Sequence, residues 1–103
     1  MNRSVSVVIP AIERFEQLDK TFSAYVEALS SVKAEIEYIV VLTPNSRHLA
    51  SCIEAYFEKL PNIRIIELSR DFGEATVIQM AKDHAQHELV LTLPPYEQVD
   101  STE

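Results

Sequence analysis

Histidines and carboxylates are the side chains of this chain whose types and spacing first suggest chemistry. His84 and His87 stand three residues apart in a predicted helix, a spacing that allows two ligands to one metal ion. No third ligand is evident beside them, so surface histidines are the simpler interpretation. Glu97 and Asp100 could act as a base or as metal ligands after the last apolar run, although an acidic, solvated tail explains them more simply. We therefore assign no catalytic residue and predict no metal site.

Composition narrows the classes of function that remain. The chain has 103 residues, of which 47% are hydrophobic, so it suits one domain with its own core. Its formal net charge of −7 disfavours binding to nucleic acid or to an anionic membrane surface. The single cysteine, Cys52, excludes an intramolecular disulfide, and the single glycine, Gly73, excludes Gly-rich phosphate loops. No run of apolar residues approaches the length of about 20 that a helix needs to span a bilayer. The expected location is the cytoplasm.

Short apolar runs rich in β-branched residues alternate with helical patterns along the chain. The runs predict strands at residues 5–9, 36–42, 63–68 and 89–93. Between them, apolar residues recur every three or four positions, which is typical of amphipathic helices. These helices are predicted within residues 14–32, 46–60 and 73–86. The hydroxyl of Ser46 is placed to cap the second helix.

This order of elements, β-α-β-α-β-α-β, predicts the fold class. Right-handed crossovers between parallel strands give an α/β fold with a three-layer, doubly wound, mostly parallel four-stranded sheet. We predict a single domain over residues 1–103. Ligands of such sheets bind beyond the carboxyl ends of the strands, near the point where the strand order reverses. The segments that could hold a ligand are therefore residues 10–14, 42–47, 69–74 and 93–100.

Two segments resemble a known family. Residues 6–11 are similar to the opening strand of family 2 glycosyltransferases, which have the GT-A fold. Residues 63–75, which contain Leu-Ser-Arg-Asp-Phe-Gly, resemble the Leu-Ser-Arg-Asn-Phe-Gly segment of the dolichyl-phosphate-mannose-synthase-like branch. The Asp-His-Ala sequence at residues 83–85 fits the helix that follows in that branch. The resemblance covers essentially the whole chain and implies the N-terminal, nucleotide-binding half of such an enzyme.

Several residues match the family pattern directly. They are Pro10, Ala11, Ser69, Arg70, Phe72 and Gly73. The resemblance implies that Arg70 lies close to the nucleotide, where its forked donors suit a phosphate or a base edge. Gly73 begins the third helix, and a helix N-terminus favours an anion. Without the resemblance, the same segment fits a strand-to-helix turn in which Asp71 caps the helix, and both interpretations stay open.

Other positions depart from the family pattern. Where the family holds the base with an aromatic residue, an Asn and a Glu, this chain has Ile12 followed by a Glu and an Arg. Ile12 offers an apolar wall. After the second strand the acidic contacts are missing, and Asn45 is the short polar side chain that could replace one. The family's Asp-x-Asp falls on residues 94–96, Pro-Pro-Tyr, which supply no carboxylate oxygens to Mg or Mn. Tyr96 instead brings a ring that could stack on a base or a sugar.

The resemblance thus implies a set of donor-binding residues and a function. The residues are Pro10, Ala11, Ile12, Asn45, Arg70, Gly73 and Tyr96. The function is that of the donor nucleotide-sugar-binding half of a family 2 glycosyltransferase, which takes a nucleotide diphosphate sugar. The family's divalent metal is not predicted as bound, so cations such as Arg14, Arg47 or Arg70 would have to neutralise the leaving group. Because the acceptor half would follow Asp100, we expect the chain alone to be inactive.

Other interpretations stay open beside this one. The chain is alternatively a non-catalytic, degenerate relative that acts as a scaffold or regulatory interaction domain, with nucleotide binding weak or lost. A receiver-like or flavodoxin-like module ranks last, because a receiver needs an acidic cluster after the first strand and this chain has Glu13 alone. A small sheet with an uncovered edge is compatible with a homo-oligomer and with a missing C-terminal half.

Overall fold

Strands and helices alternate through the part of the chain that the computed structural model describes, which is residues 3–12, 14–60, 62–70, 72–87 and 89–95. The strands are β1 (Arg3–Ala11), β2 (Ala34–Leu42), β3 (Ile63–Glu67) and β4 (Leu89–Thr92). The helices are α1 (Leu18–Leu29), α2 (Ala50–Glu54) and α3 (Glu74–His84), and a 3-10 turn at Arg47–Leu49 leads into α2. Within these described ranges, no helix has the length and apolar character needed to cross a membrane.

The four strands form one parallel sheet in the order β3-β2-β1-β4. The central strands β1 and β2 pair over their whole length, from Arg3↔Ala34 to Ala11↔Leu42. The chain moves outward from β1 to β2 and β3, and after α3 it returns to place β4 on the other side of β1. The strand order therefore reverses between β1 and β4. The predicted α/β fold with a parallel four-stranded sheet is confirmed.

Apolar cores lie on both faces of this sheet. On one face the buried side chains include Phe22 of α1 and Ile53 of α2. On the other face they include Val77 and Ala81 of α3. Residues 37–42 of β2 are buried throughout. The interpretation of that continuous apolar run as a strand covered on both faces is confirmed.

The second helix is shorter than its sequence pattern predicts. α2 ends at Glu54, and most backbone bonds of the following turns join residues three apart. Examples are the bonds from the N–H of Tyr56 to the carbonyl of Ile53 (2.9 Å) and from the N–H of Lys59 to the carbonyl of Tyr56 (3.0 Å). Phe57 is left 47% exposed. Apolar spacing does not separate the two forms, because 3-10 geometry also brings positions i and i+3 to one side.

The buried carboxylate of Glu37 connects the residues after α3 to β1, β2 and β3, in the half of the sheet where these strands begin. Glu37 of β2 is 2% exposed, and it accepts hydrogen bonds from the hydroxyl of Ser6 (2.7 Å) and the N–H of Gln86 (3.1 Å). Its second oxygen lies 3.5 Å from Nε of Arg64. Arg64 also donates from Nη1 to the carbonyl of His84, the last residue of α3 (3.1 Å). Three strands and one helix end thus meet at a single charged group.

Candidate functional site

The carboxyl ends of all four strands share one edge of the sheet, because the strands are parallel. The segments singled out from the sequence, residues 10–14, 42–47, 69–74 and 93–100, lie at this edge wherever the structure describes them. The strand order reverses between β1 and β4, and doubly wound sheets bind ligands at the carboxyl ends of the strands beside such a reversal. This edge is the candidate functional site.

Pro10 ends the pairing of β1 with β4 at the centre of this edge. The N–H of Leu93 donates to the carbonyl of Val8 (2.9 Å), so every second residue of β1, Pro10 included, turns its backbone groups toward β4. Pro10 has no N–H, and its carbonyl accepts from the N–H of Ile12 (3.0 Å). The paired register accordingly stops at Val8↔Thr92. Beyond that point Pro10 offers β4 neither a donor nor an uncommitted acceptor.

Ser46 links the end of β1 to the loop that follows β2. Its buried hydroxyl donates to the carbonyl of Ala11 (2.9 Å) and accepts from the N–H of Thr43 (2.9 Å). The prediction that Ser46 caps the following helix is wrong, since its hydroxyl makes no capping bond to that first turn. Buried backbone groups need hydrogen-bond partners, and this hydroxyl serves one at the end of β1 and one just after β2. It therefore ties the loop after β2 to the end of β1.

The residues predicted to bind the donor from the first two loops differ in their exposure. Pro10 and Ala11 are buried, so their side chains are covered in this conformation. Ile12 is half-buried and packs against the core on the α3 face of the sheet. Asn45 is exposed in the turn after β2. Among these four, Ile12 and Asn45 are the ones that present a side chain at the edge.

The predicted residues of the third loop follow β3, the outermost strand. Arg70 is exposed, and its guanidinium lies over the ring of Phe72, 4.9 Å from the centroid. β2 separates β3 from β1, so two strand spacings of roughly 10 Å in total divide the end of β3 from that of β1. Gly73 precedes α3 with φ −65°, and a Cβ there would meet nothing within 4 Å. Tyr96 lies outside the described residues.

Further arginines bring positive charge to the same edge. Arg47 pairs through Nε with Oε1 of Glu67 at 3.8 Å, and both side chains are about half exposed to solvent. Arg14 has a φ of 53°, in the left-handed region that costs a non-glycine residue about 1–2 kcal/mol. Arg70 stands on the third loop. Three loops of a chain with a formal net charge of −7 thus each carry an arginine.

The first residues after β4 accept a hydrogen bond from α1, and their side chains offer no metal ligands. The hydroxyl of Tyr25 donates to the carbonyl of Pro94 (2.7 Å), a contact for which the sequence carried no signal beyond the place of Tyr25 on the apolar face of α1. Prolines 94 and 95 have no side-chain oxygen, and Glu97 and Asp100 lie outside the described residues. In the described part of the chain, no group of three or more His, Cys, Asp or Glu side chains could hold a metal ion. The described donors at this edge therefore do not fit Mg or Mn.

A parallel α/β sheet of Rossmann-like topology, with its candidate site at the carboxyl ends of the strands, is the architecture expected for half of a GT-A fold. The family model for glycosyl transferase family 2 matches residues 6–93, and the chain belongs to this family. A curated relative named "Uncharacterized glycosyltransferase sll0501", from Synechocystis sp. (strain ATCC 27184 / PCC 6803 / Kazusa), is 29% identical over 94 residues. The alignment covers 90% of this chain and 29% of the relative, so the chain spans less than a third of that protein's length.

Proposed function

We propose that the chain is the donor-binding half of a family 2 glycosyltransferase of the dolichyl-phosphate-mannose-synthase-like branch, and that its carboxyl edge binds a nucleotide diphosphate sugar. The family match over residues 6–93 is the observation that carries this proposal. Two further features support it. The strand order reverses at β1 and β4, and the loops at that edge bring arginines to an otherwise acidic chain.

Each described candidate residue has a chemical role in this proposal. Ile12 provides an apolar wall for the base, and the amide of Asn45 can donate to and accept from the base or the ribose. The guanidinium of Arg70 lies over the ring of Phe72, and its forked N–H donors suit the oxygens of a phosphate. Gly73 precedes the N-terminus of α3, whose dipole favours the same anion.

The reaction in this proposal is the transfer of a sugar to an acceptor hydroxyl. The hydroxyl oxygen attacks the anomeric carbon while the bond from that carbon to the diphosphate oxygen breaks, and the hydroxyl proton passes to a base that the acceptor half of the enzyme supplies. Transfer without a divalent metal would need cations such as Arg14, Arg47 or Arg70 to stabilise the negative charge of the leaving diphosphate. The chain alone is accordingly inactive.

Thermal shift with nucleoside diphosphates tests this proposal directly. We expect uridine or guanosine diphosphate to raise the melting temperature of the chain, without any requirement for manganese, because a ligand that binds the folded state stabilises it. Arg70→Ala should lose this shift. Lys33→Ala is the matched control, since it removes one exposed cation just before β2, far from the carboxyl edge, and should keep the shift. A shift that depends on manganese would contradict the loss of the metal site.

A second candidate function is that of a non-catalytic relative that acts as a scaffold or regulatory domain. It is favoured by Pro94, which stands where the resemblance aligns the first Asp of the family's Asp-x-Asp, and by the covered side chains of Pro10 and Ala11. The same measurement separates the two candidates. No thermal shift with either nucleotide at millimolar concentration would reject donor binding and leave the scaffold role.

A further inference from the structure

The carbonyl of Ala11 and the N–H of Thr43 face each other just beyond the last register pair of β1 and β2, which is Ala11↔Leu42. The carbonyl of Val8 accepts from the segment after β4, and backbone groups alternate in direction along a strand, so the carbonyl of Ala11 points toward β2. The carbonyl of Leu42 accepts from the N–H of Leu68, so the next N–H, that of Thr43, points toward β1. A regular parallel ladder would join these two groups directly.

The hydroxyl of Ser46 is inserted between these two groups. It accepts from the N–H of Thr43 and donates to the carbonyl of Ala11, each at 2.9 Å. Ser46 is 0% exposed, so both bonds are made away from water. The side chain thus takes the place of one rung of the ladder, and the turn after β2 is joined to β1 through it.

The same serine closes the turn that carries Asn45. The N–H of Ser46 donates to the carbonyl of Thr43 (3.0 Å), which is the bond that closes a four-residue turn. Pro44 occupies the second position of this turn, where its ring fixes φ. Asn45 is at the third position, with its side chain exposed. Its backbone is therefore held on both sides, by the ring of Pro44 and by the bonds of Ser46.

We infer that Ser46 is a positioning residue for the nucleotide, an inference that rests on the proposed contact between Asn45 and the donor. Ser46 is buried and leaves no surface for a ligand, so it acts by holding Asn45 at the carboxyl edge. A side chain whose place is set before binding loses less conformational freedom when the ligand arrives. Such preorganisation raises the affinity without adding a contact.

Ser6 provides a matched comparison near the opposite end of β1. Its hydroxyl is also 0% exposed and also joins β1 to β2, because it donates to Oε1 of Glu37 (2.7 Å). Ser6→Ala and Ser46→Ala each remove buried hydrogen bonds, so both should lower the free energy of unfolding. Ser46 lies in a loop of the candidate site, whereas Ser6 does not. Nucleotide affinity therefore separates a positioning role from a contribution to stability alone.

Titration of the chain with uridine or guanosine diphosphate, followed by thermal shift, measures this affinity. We expect Ser46→Ala to weaken it by roughly five- to tenfold, the loss that goes with one displaced hydrogen bond, and Ser6→Ala to leave it unchanged. Circular dichroism establishes that each variant is folded. An affinity that is kept in Ser46→Ala, or reduced equally in both variants, would overturn the positioning role and leave donor binding intact. A wild-type chain without any shift would reject donor binding and the positioning role together.

A double-mutant cycle determines whether Ser46 acts through Asn45. The loss of affinity caused by Ser46→Ala should largely disappear in an Asn45→Ala background, because the effects of two coupled residues are not additive. A loss of the same size in both backgrounds would overturn the action through Asn45.

Pro44→Gly reaches the same turn from an exposed position, so it covers the case in which Ser46→Ala does not fold. The substitution frees φ at the second position of the turn and leaves the bonds of Ser46 in place. We expect it to weaken nucleotide affinity by about two- to fivefold, since Asn45 must then be ordered on binding. An unchanged affinity in Pro44→Gly would contradict the preorganised turn.

Discussion

At the scale of single residues, the aromatic cluster around Tyr38 shows how burial changes a titratable group. The ring of Tyr38 meets Phe22 edge to face at 5.3 Å, and Phe22 meets Tyr56 at 5.0 Å. Tyr38 is 4% exposed, and this burial raises the pKa of its phenol above the ordinary value of 10.0, because an apolar environment disfavours the phenolate. Above that pH the folded chain therefore retains a proton that the unfolded chain loses.

A pH dependence of stability follows from Tyr38. Below pH 10.0 the phenol is mostly neutral in both states and favours neither. As the pH rises above that value, the unfolded state ionises first, so the free energy of unfolding falls until the pKa of the folded state is reached. Tyr38→Phe should make this alkaline decline shallower, as measured by urea unfolding at a series of pH values. An unchanged decline in the variant would contradict the assignment to Tyr38.

The loop positions of Asn45 and Arg70 could be predicted from the sequence, but the contacts around the candidate site could not. Asn45 and Arg70 fall on loops as expected, because the ends of the apolar runs before them are readable. The bond from Ser46 to Ala11 joins positions 35 apart, and the bond from Tyr25 to Pro94 joins positions 69 apart. Both depend on the register of strands and on how helices lie across them, which no local pattern specifies.

At the scale of elements, strands were easier to predict than helix lengths. β2 reads as a continuous apolar run, because both of its faces are buried. α2 has an equally regular apolar pattern, yet it stops at Glu54 and continues as turns. Positions i and i+3 lie on one side in a 3-10 turn as they do in an α-helix, so the apolar pattern alone does not determine which of the two forms.

The charged cluster at Glu37 gives a prediction at this scale. Glu37→Ala removes the acceptor shared by Ser6 and Gln86, and the partner of Arg64, and should lower the free energy of unfolding by about 1–3 kcal/mol. Glu35→Ala is the control, since it removes the same charge from an exposed position on the same strand and should cost no more than about 0.5 kcal/mol. Urea unfolding measures both, and equal losses would contradict a role for the buried contacts.

At the scale of the whole molecule, the strand order predicts how stability is distributed. β1 and β2 have a strand on each side, whereas β3 and β4 have one neighbour among the described residues. Opening β4 exposes little of the core, while opening β2 exposes both faces of it, so we expect amide hydrogen exchange in dilute solution to be slowest at residues such as Ile39 and Val40 and faster in β4. Exchange in β4 as slow as in β2 would contradict this.

The proline at the end of β1 has a consequence for the entrance to the site. Any other residue at position 10 would bring an amide hydrogen to face the carbonyl of Leu93, and the ladder between β1 and β4 could gain a rung. Because Pro10 lacks that hydrogen, the ends of β1 and β4 are joined by one backbone hydrogen bond fewer, at the place where doubly wound sheets bind ligands.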